Sequence, residues 1–285
     1  MPKTIILVLI FSVLSLFAVS AEISKPPLTG EWKLVLDEDF NTFEESRWNT
    51  KLETPKHTYR RSDCFFLDDN VKVKDGSLVL TTKREKLELT DVRGNTRKLK
   101  YTSGLINSFG KLKFKYGYFE ARIKLPYARG LWPAFWMMPD RNLEPISFFK
   151  KGMRSTKNIE NSVKYVNGKG MEIDIMEYLT EWRNTKFHTA AHWGGYQEDL
   201  KSIRYYHNEK FDDSFHEFGV LWQENLLVWF FDDVEISRWE NARVADVPMY
   251  LILSTNVGGW ATWRVEKDHL PEETLVDYVR VWQKN

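Results

Sequence analysis

Short segments in which apolar and polar residues alternate recur along most of this 285-residue chain. A period of two sends successive side chains to opposite faces, which is the pattern of a β-strand with one buried face. The stretch from Val71 to Leu80 predicts two such strands around Asp75-Gly76, a dipeptide typical of tight hairpin turns. A second hairpin is predicted from Leu226 to Trp239, with Asp232-Asp233 at its turn. We find no convincing amphipathic helix longer than two turns, so the sequence predicts an all-β fold.

The rest of the chain shows the same kind of short alternating segments and is interpreted as one domain. It shows no internal repeat, no low-complexity tract and no linker, so residues 22–285 are interpreted as a single domain. Many strands without alternating helices predict an antiparallel β-sandwich or jelly roll. Further short runs rich in β-branched and aromatic residues are found at 99–109, 112–125, 131–138, 185–193, 249–257 and 275–283.

Residues 1–21 have the organisation of a secretory signal peptide. Lys3 supplies a positive charge, an apolar run follows from Ile5 to Val19, and small residues precede the predicted cleavage before Glu22. The run is shorter than the roughly 20 apolar residues that a membrane span needs. We therefore expect a protein secreted to the periplasm or the extracellular space, with no membrane contact after cleavage.

Charge and aromatic content narrow the possible partners. The chain has 41 basic and 40 acidic side chains, so no overall positive field is available to bind nucleic acid. It also has 12 Trp, 12 Tyr and 18 Phe, more than a core of this size requires. Trp and Tyr combine a flat apolar face with a polar edge, which suits sugar rings, although an aromatic β core accounts for part of the count. We expect a monomer whose partner is a polysaccharide.

Three carboxylates lie in an otherwise apolar strand. Strict alternation puts Glu172 and Asp174 on one face but leaves Glu177 on the core face, where an unpaired charge is costly. A β-bulge at Ile175-Met176 removes the conflict, because the extra residue returns Glu177 to the face of Glu172 and turns Tyr178 inward. The Cα atoms of the two glutamates are then roughly 13 Å apart. Leaning side chains can approach the ~5 to 5.5 Å separation of a retaining glycosidase.

Neighbouring strands place aromatic and polar side chains in a pattern that agrees with a carbohydrate site. Glu120 and Arg122 fall on one face of their strand, and the other strands put two tryptophans together and two histidines together. Each residue alone has a simpler interpretation, because a strand Trp is usually core and an Arg near a Glu is usually a surface pair. The predicted substrate-binding residues are Trp132, Trp136, Glu120, Arg122, His192 and Trp260.

Two other kinds of catalytic site are disfavoured. His188 and His192 have a spacing that chelates zinc on a helix, but on a strand they are roughly 13 Å apart and cannot share an ion. Cys64, the only cysteine, has no neighbouring His in sequence, which favours a buried thiol over a nucleophile.

The segment from Glu172 to Glu177 resembles the Glu-x-Asp-x-x-Glu signature of glycoside hydrolase family 16, in its bulged, laminarinase-like form. The resemblance implies a β-jelly-roll sandwich of two curved antiparallel sheets with an open concave cleft. It also implies endo-hydrolysis with retention, in which Glu172 is the nucleophile, Glu177 is the acid/base and Asp174 assists between them. Other segments that resemble this family in order and spacing are 71–80, 103–106, 116–122, 130–136, 215–222 and 277–282.

The chain also departs from the laminarinase pattern. Where those enzymes usually read Asn-Leu-Ala-x-Gly-Gly-Asn-Trp, residues 254–260 read Ser-Thr-Asn-Val-Gly-Gly-Trp. A basic segment at 141–169 is longer than expected, and either borders the cleft or is a solvated insertion. The leading prediction is an endo-β-glucanase acting on β-1,3- or β-1,3-1,4-glucan. The alternatives are a β-galactanase of the agarase or carrageenase type and a non-catalytic carbohydrate-binding protein, although the latter would be expected to have lost a carboxylate.

No cofactor is expected to be required for catalysis. The family resemblance implies a structural Ca²⁺ away from the cleft, held by a backbone carbonyl near Asp39, the carbonyl of Gly76 and the carboxylate of Asp277. Oxygen ligands of this kind suit Ca²⁺.

Overall fold

The structure, a computed structural model, describes residues 26–52, 58, 62–90, 94, 96–139, 170–194 and 200–284. The predicted signal peptide at 1–21 and the basic segment at 141–169 lie outside these residues. The strands are β1 (Trp32–Glu38), β2 (Cys64–Phe66), β3 (Val71–Lys74), β4 (Ser77–Thr90), β5 (Thr96–Ser103), β6 (Leu105–Asn107), β7 (Gly117–Lys124), β8 (Leu131–Pro139), β9 (Glu172–Glu177), β10 (Phe187–Trp193), β11 (Lys201–His207), β12 (His216–Gln223), β13 (Leu226–Phe231), β14 (Val234–Glu240), β15 (Met249–Val257) and β16 (Glu272–Lys284).

Helical structure in the described residues is limited to short 3₁₀ segments at Asp68–Asn70, Thr180–Trp182 and Lys267–His269. None of these has the length or the apolar character to span a bilayer. The prediction of an all-β fold is confirmed.

The strands form two sheets. The first has ten strands in the order β14-β13-β12-β7-β16-β4-β5-β2, with β1 beside β16 and β3 beside β4. The second has six strands in the order β11-β10-β9-β8-β15-β6. The strand pairs are antiparallel, except that β2 pairs with β5 in parallel.

Both predicted hairpins are present, and their turns have the expected backbone. Asp75 and Gly76 connect β3 to β4 with φ values of 52° and 72°. Asp232 and Asp233 connect β13 to β14 with φ values of 45° and 65°. Left-handed φ at both central residues matches the right-handed twist of the flanking strands, which is why Asp and Gly are favoured there.

The main core lies between the two sheets. Phe119, Ala121 and Ile123 of β7 supply it from the ten-stranded sheet, and Phe135 of β8 and Ile173 of β9 supply it from the six-stranded sheet. Burial of this apolar surface fixes which face of each strand points inward. The opposite face of the six-stranded sheet, which we call the site face, is then free to carry polar side chains.

Candidate active site

The carboxylate strand β9 contains the bulge that the sequence predicts. Asp174 pairs with Trp136 on one side and Ala190 on the other, and the register then shifts before Glu177 pairs with Ala134 and His188. Ile175, Met176 and Tyr178 are all buried in the main core. The shift returns Glu177 to the same face as Asp174, because the extra residue moves every later side chain to the opposite side of the strand.

Glu177 is buried, with 5% of its surface exposed, and both carboxylate oxygens have partners. The indole Nε1 of Trp132 donates a hydrogen bond of 2.9 Å to Oε1. His188 Nε2 lies 2.6 Å from Oε2. His188 is itself fully buried among three aromatic side chains, those of Trp182, Tyr206 and Trp260. Rigid neighbours on both sides therefore hold the Glu177 carboxylate in one orientation.

Asp174 is buried, and His192 Nε2 lies 3.1 Å from its Oδ2. Burial raises the pKa of Asp174, the negative charge of Glu177 raises it further, and His192 opposes the shift. Burial alone lowers the pKa of His192, but its contact with Asp174 outweighs that effect, so the net pKa of the imidazole is raised. The pair thus retains a proton more readily than either side chain would in water.

Glu172 completes the cluster. It is half-buried at the start of β9 and pairs across the strands with His192. Oxygen and nitrogen atoms of Glu172, Asp174 and His192 lie within 4.8 Å of one another, close enough to hold a metal ion. The direct Asp174–His192 contact already accounts for this closeness. We expect the side chains of this cluster to act on the substrate as ionisable groups.

Aromatic side chains form one wall beside these carboxylates. Trp132 and Trp260 meet edge to face, with ring centroids 5.7 Å apart. Trp260 is 41% exposed, and Arg204 covers its ring. Trp136 is half-buried and donates from Nε1 to Ser254 Oγ at 3.2 Å. The structure therefore brings four of the six predicted substrate-binding residues to the site face: Trp132, Trp136, His192 and Trp260.

The placement of Glu120 and Arg122 in the cleft is wrong. The alternation predicted for β7 is correct, because Phe119, Ala121 and Ile123 do face the core. However, β7 lies between β12 and β16 in the ten-stranded sheet, so its polar face points away from the carboxylates across the core. Glu120 accepts hydrogen bonds from two tyrosine hydroxyls on that outer side. Alternation fixes which residues share a face, but not which sheet the strand joins.

The expected calcium ligands lie on the ten-stranded sheet. Asp277 Oδ2 is 2.6 Å from Arg122 Nη1, so a calcium ion would share this carboxylate with a guanidinium. Gly76 lies close to Asn41, whose backbone and side-chain nitrogens both donate to Asp39. These contacts leave calcium binding a prediction.

The geometry also argues against the two other kinds of catalytic site, a zinc site at His188 and His192 and a nucleophile at Cys64. His188 and His192 contact different carboxylates, those of Glu177 and Asp174. Cys64 is fully buried, and burial raises the pKa of its thiol to about 12. A thiol with such a pKa is not a nucleophile near neutral pH.

Several site-face residues were missed in the sequence. Arg204 and Tyr206 come from β11, a strand whose many polar residues hid its alternation. Trp182 comes from a 3₁₀ segment, which has no strand periodicity. Asn256, opposite Trp132 on β15, has a buried Oδ1 without a hydrogen-bond partner in the described ranges. The departure from the laminarinase pattern at 254–260 was the one signal that pointed to Asn256.

This chain has an open jelly roll of two sheets with carboxylates clustered on one face. These features place it in the jelly-roll class of glycoside hydrolases. A family model described as Beta-porphyranase A-D, GH16 domain, matches residues 32–284. The chain therefore belongs to glycoside hydrolase family 16, as its motifs predicted.

Individual relatives agree with this assignment. A beta-glucanase of Rhodothermus marinus is 30% identical over 75% of this chain and 71% of its own length. Endo-1,3-1,4-beta-glycanase EglC of Rhizobium meliloti is 28% identical over 74% of this chain, which spans 39% of that protein. The catalytic domain of an endo-1,3-beta-glucanase (laminarinase) from Thermotoga petrophila superposes with a TM-score of 0.69 at 26% identity, covering 90% of this chain and 100% of that domain.

Proposed function

We propose that this protein is an endo-acting, retaining β-glycanase in which Glu172 is the nucleophile and Glu177 is the acid/base. The observation that carries the proposal is the bulged strand β9, which presents Glu172, Asp174 and Glu177 on one face. Retention requires two carboxylates on opposite sides of the scissile bond. A third carboxylate, that of Asp174, lies between them on the same face.

In the first step, ionised Glu172 attacks the anomeric carbon while Glu177 donates its proton to the departing oxygen. The bond from the sugar to that oxygen breaks as the bond to the Glu172 carboxylate forms. In the second step, Glu177 accepts a proton from water, which displaces Glu172 and restores the starting configuration. His188 Nε2 and Trp132 Nε1 contact the two carboxyl oxygens of Glu177 and hold that group in one orientation through both steps.

The surroundings of Asp174 act on its proton affinity in opposite directions. Its burial and the nearby Glu177 charge favour a protonated form, while His192 favours an ionised one. When Glu172 becomes an ester, its negative charge disappears, and Asp174 can then ionise more easily. We infer that Asp174 shares a proton with its surroundings as the covalent intermediate forms and breaks.

The leading substrate is β-1,3- or β-1,3-1,4-glucan. The similarity to the Rhodothermus beta-glucanase, to EglC and to the Thermotoga laminarinase domain supports this choice. A β-galactan is the second candidate, because the matching family model is described as a porphyranase. A non-catalytic carbohydrate-binding protein is disfavoured, since all three carboxylates are kept.

We further propose that the protein is exported through the signal peptide at 1–21 and acts as a monomer outside the cytoplasm. A soluble secreted enzyme would meet polymeric glycans that cannot enter the cell. N-terminal sequencing of the exported protein tests this point, and a mature chain that starts at Glu22 is the expected result.

Product analysis on a panel of laminarin, mixed-linkage glucan, agarose and porphyran tests the function. An endo-acting enzyme releases a ladder of oligosaccharides from the start, and Glu172→Gln abolishes that release. The exposed Glu224 lies in the turn between β12 and β13, so Glu224→Gln is the matched control and keeps full activity. Release of monosaccharide alone, or no product from any polymer, would contradict the proposal.

A further inference from the structure

A groove of about 550 Å³ lies on the outer face of the ten-stranded sheet, across the core from the carboxylates. Leu78 and Leu80 of β4 point into the main core, so the residues that alternate with them face outward. Two of these, Val79 and Thr81, are nearly buried and form the floor of the groove. The proposed chemistry uses none of the lining residues, which are Lys72, Lys74, Val79, Thr81, Lys83, Arg84, Leu270, Pro271 and Glu273.

Positive charge is concentrated in this groove. Its lining has four cationic side chains and one acidic side chain, whereas the whole chain has 41 basic and 40 acidic side chains. Lys72 and Arg84 are exposed, and neither forms an ion pair with any residue that the structure describes. Lys74 Nζ lies 3.9 Å from the carboxylate of Asp75, with both side chains exposed, and Lys83 Nζ donates to a backbone oxygen at 3.4 Å. These cations are therefore available to an anion from outside the chain.

The cations follow the direction of strand β4. Lys74 of β3 lies opposite Ser77 of β4, and Lys83 comes six positions later on β4, roughly 20 Å further at the rise of a β-strand. Lys72 lies between them along the same direction. The acidic Glu273 is on β16, which pairs with the other edge of β4. A single small anion cannot contact cations spread over this length, but a chain with repeated negative charges can.

Resting on the proposed function, we propose that this groove is a second binding site for an anionic polysaccharide, a chain that carries repeated sulfate or carboxylate groups. Its surplus of positive charge complements such a polymer, and its concave shape suits a single extended chain better than a flat lipid surface. The lining includes no aromatic residue, so neither neutral sugar rings nor unstacked nucleic-acid bases find a stacking surface there. Binding in the groove therefore depends on the charge of the polysaccharide.

The groove and the site face lie on opposite sides of the same domain. One long polymer, or two neighbouring chains of an aggregate, can occupy both. Binding in the groove then raises the effective concentration of substrate at the carboxylates. A short oligosaccharide cannot reach both faces, so the groove acts only on long anionic chains.

Biolayer interferometry on immobilised polysaccharides tests the groove. All proteins carry Glu172→Gln, so that no polymer is consumed. On that background, Lys72→Gln/Arg84→Gln removes two cations and Lys72→Arg/Arg84→Lys keeps both charges. The matched control is Lys33→Gln/Lys115→Gln, because these exposed cations lie beside the C-terminal end of β16, far from the groove. The immobilised polymers are sulfated κ-carrageenan, carboxylated alginate, and neutral agarose and laminarin.

We expect Lys72→Gln/Arg84→Gln to weaken binding to at least one anionic polymer by about fivefold or more, because two charge contacts are lost. The charge-keeping variant and the matched control should bind like their parent. Added salt should weaken binding of the anionic polymers, because it screens exposed charges. Binding of any neutral polymer should change less than about twofold between parent and variant. The polymer affected identifies the anion as sulfate or carboxylate.

Unchanged affinity for both anionic polymers, an equal loss in the matched control, or no binding of either anionic polymer by the parent would overturn the proposal. Binding of phosphatidylglycerol vesicles through Lys72 and Arg84, without binding of either anionic polymer, would assign the groove to a lipid surface instead. Failure of the proposed function has a different signature. A protein with Glu172 intact that binds anionic polymers through the groove but cleaves no polymer would keep the groove and reject the glycanase.

Discussion

Glu120 should make the stability of this protein depend on pH near neutrality. It is 3% exposed on the outer side of the ten-stranded sheet, where it accepts hydrogen bonds from Tyr118 at 2.9 Å and Tyr278 at 3.0 Å. The Tyr278 hydroxyl also lies 2.7 Å from Glu217 Oε1. One hydroxyl hydrogen cannot serve both carboxylates, so when Tyr278 donates to Glu217, Glu120 is satisfied only if it is protonated and donates to the tyrosine oxygen.

The size of this pH effect on stability follows from the surroundings of Glu120. Burial raises the pKa of Glu120 from 4.5 to about 7, with the Tyr118 hydrogen bond opposing the shift and the Glu217 charge adding to it. Such a shift corresponds to roughly 3 kcal/mol. Because the folded-state pKa is raised, this stability is fully present below pH 4.5 and is lost as pH rises through about 7. The free energy of unfolding should therefore fall between about pH 5 and pH 8.

Urea unfolding of the wild type, Glu120→Gln and Glu224→Gln at pH 5, 6, 7 and 8 measures this effect. Glutamine resembles the protonated acid but cannot ionise. Across this pH range, the free energy of unfolding of Glu120→Gln should therefore fall by roughly 3 kcal/mol less than that of the wild type. The exposed Glu224 provides the control and should follow the wild type. Parallel curves for the wild type and Glu120→Gln would refute the assignment of a neutral carboxylic acid at this position.

Three further predictions concern the site and its surroundings. Trp136→Ala should weaken turnover on long chains by roughly three- to tenfold, because it removes flat stacking area, while circular dichroism stays that of a folded protein; loss of the folded spectrum would assign Trp136 to the core. Chelator should lower the melting temperature if the calcium predicted at Gly76 and Asp277 is present, whereas an unchanged melting temperature with no metal by elemental analysis would reject it. Shortening the basic segment at 141–169, which connects the neighbouring strands β8 and β9, should change the preference among polysaccharides more than the melting temperature, and an unchanged preference would identify a solvated insertion.

The bulge in β9 was predictable because its cause is local. A charged Glu177 on the core face is costly, and one extra residue removes the cost while turning Tyr178 into the core. The two hairpin turns were predictable for a similar reason, since Asp and Gly tolerate the left-handed backbone that these turns need.

The cleft could not be completed from sequence because its walls depend on long-range pairing. Glu120 and Arg122 share a face as predicted, yet only the pairing of β7 with β12 and β16 reveals that this face is outside. Arg204 joins the site through pairing of β11 with β10 and through contact with Trp260 in a separate loop. Neither contact can be predicted from the spacing of nearby residues along the chain.

The central claim is that Glu172 forms a covalent bond to the sugar and that Glu177 serves as acid and then base. Proton NMR of the first product released from the preferred polysaccharide tests this claim most directly, because two displacements preserve the configuration at the anomeric carbon. The account predicts that the new reducing end appears first as the β-anomer, and that Glu172→Gln lowers kcat by several orders of magnitude with little change in substrate affinity. Initial release of the α-anomer, or near-normal activity in Glu172→Gln, would contradict it.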